Sequence, residues 1–279
     1  MLSILYSKYA PDAITASVLR VGQGYEHIKP ICMEDCIQQG HWEADKSGRF
    51  IFRLPQETAN NLVTTDYLIN RAFIYDESLQ FLGNFPPDVI QLEVECCFRH
   101  WINKVKHTSA CSGLYGLCGN YLPLYLQWKQ VSKLNLDLNL PRYDYAFGSL
   151  TPETQDFNNT IYKSPFDCRT WRPNSAPEQY WHSFVVERPQ GMPVIAIIAH
   201  DDVLFNTDVE PKIAERLQDY SLVLAHLFGS RFGEILYFID GELITFAAFS
   251  HIVSKGFADD RLDRLMDKIL SSLEKTYYG

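Results

Sequence analysis

Apolar residues follow two alternating spacings along the chain. Short continuous or alternating runs predict strands, and apolar positions three or four residues apart predict helices. The first run, LSILY at 2–6, reads as a buried strand. Asp12 is placed to cap the helix that follows, with Ile14, Val18 and Val21 on one face, and Gly22 and Gly24 end it. The polar segment after it carries a turn signal at Asp45, Lys46, Ser47 and Gly48, followed by RFIFRL as a second strand and DYLINRAFIY (66–75) as a third. Asp88 then opens a helix whose face is Ile90, Val94, Cys97, Phe98, Trp101 and Val105. LPLYLQWKQVSKL is a further helix, Pro141 marks a linker and a short strand, and residues 149–182 are irregular and proline-containing.

From there strands dominate: SFVVER, PVIAIIAH and VLFN. His200, Asp201 and Asp202 lie between the last two, and a turn accounts for them. A long helix presents Ile213, Leu217, Tyr220, Leu224, Leu227 and Phe228 and ends at Gly229. The stretch LYFIDGELITFAAFSHI (236–252) reads as a hairpin about Asp240-Gly241, and a final helix buries Leu262, Leu265, Met266, Ile269 and Leu273. The expected class is α/β: an N-terminal α/β domain over 1–140 with a mostly parallel sheet, then an α+β region over 141–279. The hairpin sheet is expected to pack on the helices at 209–228 and 259–277.

Composition narrows the function. Hydrophobic residues make up 46% of the 279, enough for a proper core. The formal net charge is −9 and no basic block interrupts the acidic balance, which argues against nucleic acid as a partner. No apolar run approaches the ~18 residues of a membrane span. The opening MLSILYSKYAPD lacks the basic and apolar regions of a signal peptide, so the expected location is the cytoplasm. Seven cysteines without a CxxC pair point to reduced thiols rather than a disulfide framework or a zinc knuckle. GQG at 22–24 closes a helix, whereas a phosphate-binding glycine loop opens one. No GxSxG, HExxH or Walker A sequence is present.

Several segments taken in order resemble the ATP-grasp superfamily, in particular ATP-grasp-like proteins of peptide and natural-product modification clusters. The residues that carry the resemblance are Leu68, Asn70 and Arg71 on the third strand; Glu93 or Glu95 with Trp101 and Ile102; and Leu117, Gly119 and Trp128. TIYKSPFDCR with Lys163, APEQYWHSFVVER and PVIAIIAHDDVLF, and the closing helix, strand, DG turn and strand complete the order. The resemblance implies ATP and Mg²⁺ as cofactors. It makes Lys163 a phosphate ligand, where read alone it is a surface lysine at a strand end. Glu178 and Gln179 fall in the hinge that would face an adenine ring, with a loop beside Pro177 as the alternative.

Arg169 and Arg172, flanking Trp171, are candidates for an anionic substrate group, with a solvated loop as the alternative. Asn70 and Arg71, at the end of their strand, are candidates for substrate binding or for a structural role. Glu234 and Asp240 are the carboxylates nearest the expected metal site. Family members place a Glu and an Asn on the last strand, where this chain has Ala247 or Ala248 and Ser250. A degenerate metal site is therefore expected, with carboxylate–amine ligation weakened or lost. An active ligase or kinase with an altered metal site, and a non-catalytic module that receives a peptide strand at a sheet edge, are the alternatives. The expected partners are a peptide or small carboxylate substrate, a modification enzyme of the same pathway, and a second copy in a homodimer.

Overall fold

The computed structural model describes residues 1–9, 11–39, 41–44, 50–53, 65–73, 87–110, 112–113, 116–147, 157–174, 182–257 and 259–279. The N-terminal part is built on a parallel sheet. β1 (Leu2–Tyr6) lies between β2 (Ile28–Cys32) and β5 (Tyr67–Arg71), so Leu2 is level with both Ile28 and Tyr67. All of β1 except Tyr6 is buried, as a continuous apolar run requires. Helix α1 (Ala13–Gly22) returns between β1 and β2, and Asp12 caps it by accepting from the backbone N–H of Thr15. A short helix α2 (Met33–Gln39) and an antiparallel pair, β3 (His41–Ala44) and β4 (Phe50–Arg53), intervene before β5. Helix α3 (Pro87–Ile102) follows, with Phe98, Trp101 and Ile102 in a core with Leu5 and Leu68.

Two antiparallel sheets form the rest. The smaller has β6 (Tyr143–Phe147), β8 (His182–Glu187) and β7 (Thr160–Tyr162) in that order. The larger runs β10 (Asp202–Phe205), β9 (Met192–Ala199), β11 (Phe232–Asp240), β12 (Leu243–Ser250). Helix α5 (Pro211–Leu227) covers one face of it with Ile213, Leu217 and Leu224, and Tyr237 from the sheet meets Ser221 of the helix, hydroxyl to hydroxyl, at 3.1 Å. The hairpin turn uses Gly241 at φ 61° as the first of two loop residues, between the paired Asp240 and Leu243.

The register of β11 on β12 slips between Leu236 and Tyr237, whose partners are Ala248 and Phe246. Ala247 is the extra residue of this bulge, and its carbonyl is taken by the indole N–H of Trp128 at 2.9 Å. Trp128 lies on helix α4 (Leu124–Val131), where Gln127 also exchanges two bonds with the backbone of Phe249. Asn139 donates to Ile244 and accepts from Phe246 through its backbone. The outer edge of β12 is thus met by helix α4 and by Asn139.

The last helix, α6 (Asp260–Tyr278), departs from expectation. Its apolar face, Leu262, Leu265, Met266, Ile269, Leu270 and Leu273, joins a core with Leu2, Ile4, Ile14 and Val18 as well as Ile197 and Phe232. It therefore wedges between the parallel sheet and the larger antiparallel sheet rather than serving the hairpin sheet alone. No helix among the described residues is long and apolar enough to cross a membrane.

Candidate functional site

The face of the larger sheet away from α5 forms the floor of a cleft of about 500 Å³. Strand alternation decides what it shows. Pro193 and Ile195 of β9 stand level with Phe238 and Leu236 of β11, and Ala248 of β12 lies beside Leu236. These make an apolar floor. At its lower end Glu234 pairs across the strands with Ser250. The wall and rim come from the segment after β7 and from the end of β8: Cys168, Arg169, Trp171, Arg172 and Arg188. Trp171 is held by two ties: its indole N–H donates to the carbonyl of Cys168, and its own carbonyl accepts from Arg188 Nε, both at 3.0 Å.

Glu234 is nearly buried. One carboxylate oxygen accepts from the N–H of Ser254 at 2.8 Å, and the other lies 3.5 Å from Arg169 Nε. Burial pushes its carboxyl above the usual range, partly offset by the Ser254 bonds and by the Arg169 charge. Arg169 also donates through Nη2 to the carbonyl of Ile252 at 3.0 Å. Three guanidinium groups against one carboxylate leave the cleft cationic over an apolar base. That combination suits a ligand with a flat apolar part and an anionic part.

Lys163 stands just behind this wall. Its ammonium donates to the carbonyl of Thr170 at 2.5 Å and sits 4.2 Å from the centre of the Trp171 ring. Burial depresses its pKa to about 8. The sequence-based candidates Arg169, Arg172 and Glu234 thus meet in one cleft, with Lys163 adjoining. Glu178 and Gln179 lie outside the described residues.

Asp240 does not join them. It is exposed at the hairpin turn, six residues along β11 from Glu234 and ~20 Å away at ~3.3 Å per residue, so the two do not form a shared metal site. Ala248 and Ser250, not Ala247, face the cleft. Among the described residues no three His, Cys, Asp or Glu side chains stand together as a metal would need.

Asn70 and Arg71 do not line this cleft and are tied into the structure around them. Both are fully buried. The Asn70 amide donates to the carbonyls of Ala110 and Leu117 at 2.9 and 2.8 Å. Arg71 forms an ion pair with Asp12 and donates to the carbonyl of His251 at 2.7 Å. Asp12 in turn accepts from the N–H of Val253 at 2.8 Å. The pair therefore anchors the chain leaving β12, which carries Ile252 and Ser254 to Arg169 and Glu234. Arg188, Cys168 and Ser254 carry no signal of a site role in the sequence. Arg188 follows β8 without any motif, and only the pairing of the sheets places it over the Phe238 ring, 5.0 Å from its centre.

Comparison with solved structures supplies the fold's name. The macrocyclase MdnC from Microcystis aeruginosa MRC, bound with precursor peptide MdnA, superposes with a TM-score of 0.69, 11% identity, and coverage of 98% of this chain and 100% of that one. This chain has the ATP-grasp fold. The ATP-grasp ligase PsnB, complexed with a phosphomimetic variant of minimal precursor, Mg and ADP, gives 0.66 at 12% identity, covering 97% of this chain and 96% of its own. A Chryseobacterium gregarium RiPP-associated ATP-grasp ligase, in complex with ADP and a leader and core peptide, gives 0.56 at 10% identity, covering 98% and 96%. No family model and no curated protein matches the sequence. In this chain the cleft lies between the larger antiparallel sheet and the segment that follows β7.

Proposed function

We propose that this protein binds ATP in the cleft and serves a peptide-modification pathway, with carboxylate–amine ligation weakened or lost. One observation carries the reading: three arginines and a single carboxylate surround an apolar floor, and the strand positions next to that carboxylate are Ala248 and Ser250. The floor of Ile195, Leu236 and Phe238 suits a purine, and Arg169, Arg172 and Arg188 suit phosphates.

In an active ligase the nucleotide supplies the phosphoryl group that activates a carboxylate, and divalent cations offset the charge on that group. Magnesium takes near-octahedral oxygen coordination, commonly with one or two carboxylates. Here Ala248 offers no oxygen, and the Ser250 hydroxyl is already committed: it donates to the Ile252 carbonyl at 2.8 Å. The donor set of the described residues does not fit such a site. The peptide partner rests on the likeness to MdnC and PsnB, both solved with precursor peptides, and a partner modification enzyme would then carry out the chemistry.

Calorimetric titration with ATP, paired with chromatographic measurement of ADP in the presence of peptides encoded by neighbouring genes, tests this. The expected result is saturable binding, with turnover a thousandfold or more below the ~10 s⁻¹ median of enzymes. ADP release near that median would show an intact ligase, and absence of nucleotide binding would refute the assignment of the cleft.

A further inference from the structure

We infer that the guanidinium of Arg169 stands where a divalent cation would otherwise be held, so that the cleft takes a nucleoside polyphosphate as the metal-free anion. The inference rests on the nucleotide reading of the cleft and concerns the form in which the ligand is recognised.

The carboxylate that a metal would use is already committed. Glu234 is 7% exposed, and both its oxygens are engaged: Oε2 accepts from Ser254 N at 2.8 Å, and Oε1 faces Ser254 Oγ at 3.4 Å and Arg169 Nε at 3.5 Å. A cation placed at Glu234 would meet the positive charge of Arg169 at close range. The neighbouring strand positions do not compensate. Ala248 has no donor atom, and Ser250 closes a local turn, donating to the carbonyl of Ile252 at 2.8 Å and accepting from its N–H at 3.2 Å.

Arg169 itself is built in. Nε faces Glu234, Nη2 donates to Ile252, and among the described residues Nη1 carries no bond. Its side chain is 51% exposed, in the wall of the cleft. Ile252 and Ser254 belong to the segment that the buried Arg71–Asp12 pair fixes through His251 and Val253, so the guanidinium is mounted on a braced loop. A guanidinium is permanently charged and offers a planar fork to phosphate oxygens. With Arg172 and Arg188 on the same cleft, the protein supplies from its own side chains positive charge that a metal–nucleotide complex would otherwise bring.

The test is titration calorimetry of the full chain with ATP, once with excess EDTA and once with excess Mg²⁺, on the parent and on Arg169→Ala. A thermal melt of each confirms folding; Arg169 is half-exposed on a loop, so the variant should melt within a degree or two of the parent. The expected result is ATP binding in EDTA at least as tight as in Mg²⁺, weakened tenfold or more by Arg169→Ala. Binding by the parent that is tenfold or more tighter in Mg²⁺ overturns this inference and leaves the nucleotide reading standing. Equal affinity of parent and Arg169→Ala in EDTA also overturns it. No binding under either condition overturns both.

Discussion

Replacing Arg71 by methionine would leave Asp12 charged at a position with no solvent access. Both side chains of the pair are 0% exposed. Removing one partner of a buried ion pair typically costs ~3–5 kcal/mol, because the remaining charge has no compensation. Asp12 keeps three donors, Thr15 N at 2.8 Å, Thr15 Oγ at 2.6 Å and Val253 N at 2.8 Å, which moves the expected cost toward ~3 kcal/mol. The carbonyl of His251 also loses its guanidinium donor, adding ~1 kcal/mol. At ~2–4 °C per kcal/mol, a loss of ~3–4 kcal/mol lowers the melting temperature by roughly 6–16 °C. Thermal and urea unfolding of Arg71→Met against the parent measure it. A shift under about 2 °C would refute the view that this pair braces the two halves of the molecule.

Other consequences are as direct. ATP affinity should fall as pH rises through about 8, where Lys163 loses its proton, and Lys163→Arg should remove the fall; a flat profile in the parent takes Lys163 out of the site. The same shift costs stability at neutral pH, and stability should rise with pH between ~8 and ~10.4, where only the unfolded chain holds the proton. Burial pushes His251 down to about 4. As pH falls below ~6.5 the unfolded chain takes up that proton first, so stability should drop between ~6.5 and ~4, and acid-dependent melts of His251→Gln should show a shallower slope. Ala248→Glu with Ser250→Asn should raise the Mg²⁺ dependence of ATP binding measured by calorimetry, and no gain would leave the hairpin without a metal ancestry.

Strong local patterns in the sequence reported the fold faithfully. The apolar runs at 2–6, 192–199 and 232–250 became strands, and the spacing of Ile213, Leu217 and Leu224 became the covering helix. β2 was missed because IKPIC carries Lys29 and Pro30 on an edge strand where only part of the run is buried. The bulge at Ala247 was equally hidden. Its free carbonyl meets the indole of Trp128, far away in sequence, and the bulge settles which alanine faces the cleft.

Glu234 was legible as a charge on an apolar strand, since such a residue needs a reason to be there. Arg71 was visible as an unusual residue but not as a tie, because its partner Asp12 belongs to a cap whose local role already explained it. Arg188 carried no signal at all. Its place over Phe238 follows from how β8 and β11 stack, which no local pattern encodes.

The assignment of the cleft is tested most directly by reversing one of its charges where the fold does not depend on it. Arg172 is exposed on the cleft rim. Titration of the full chain with ATP at fixed ionic strength should give one saturable site, and Arg172→Glu should weaken it by tenfold or more without moving the melting temperature. Unchanged affinity in Arg172→Glu, or no saturable binding by the parent, would contradict the account.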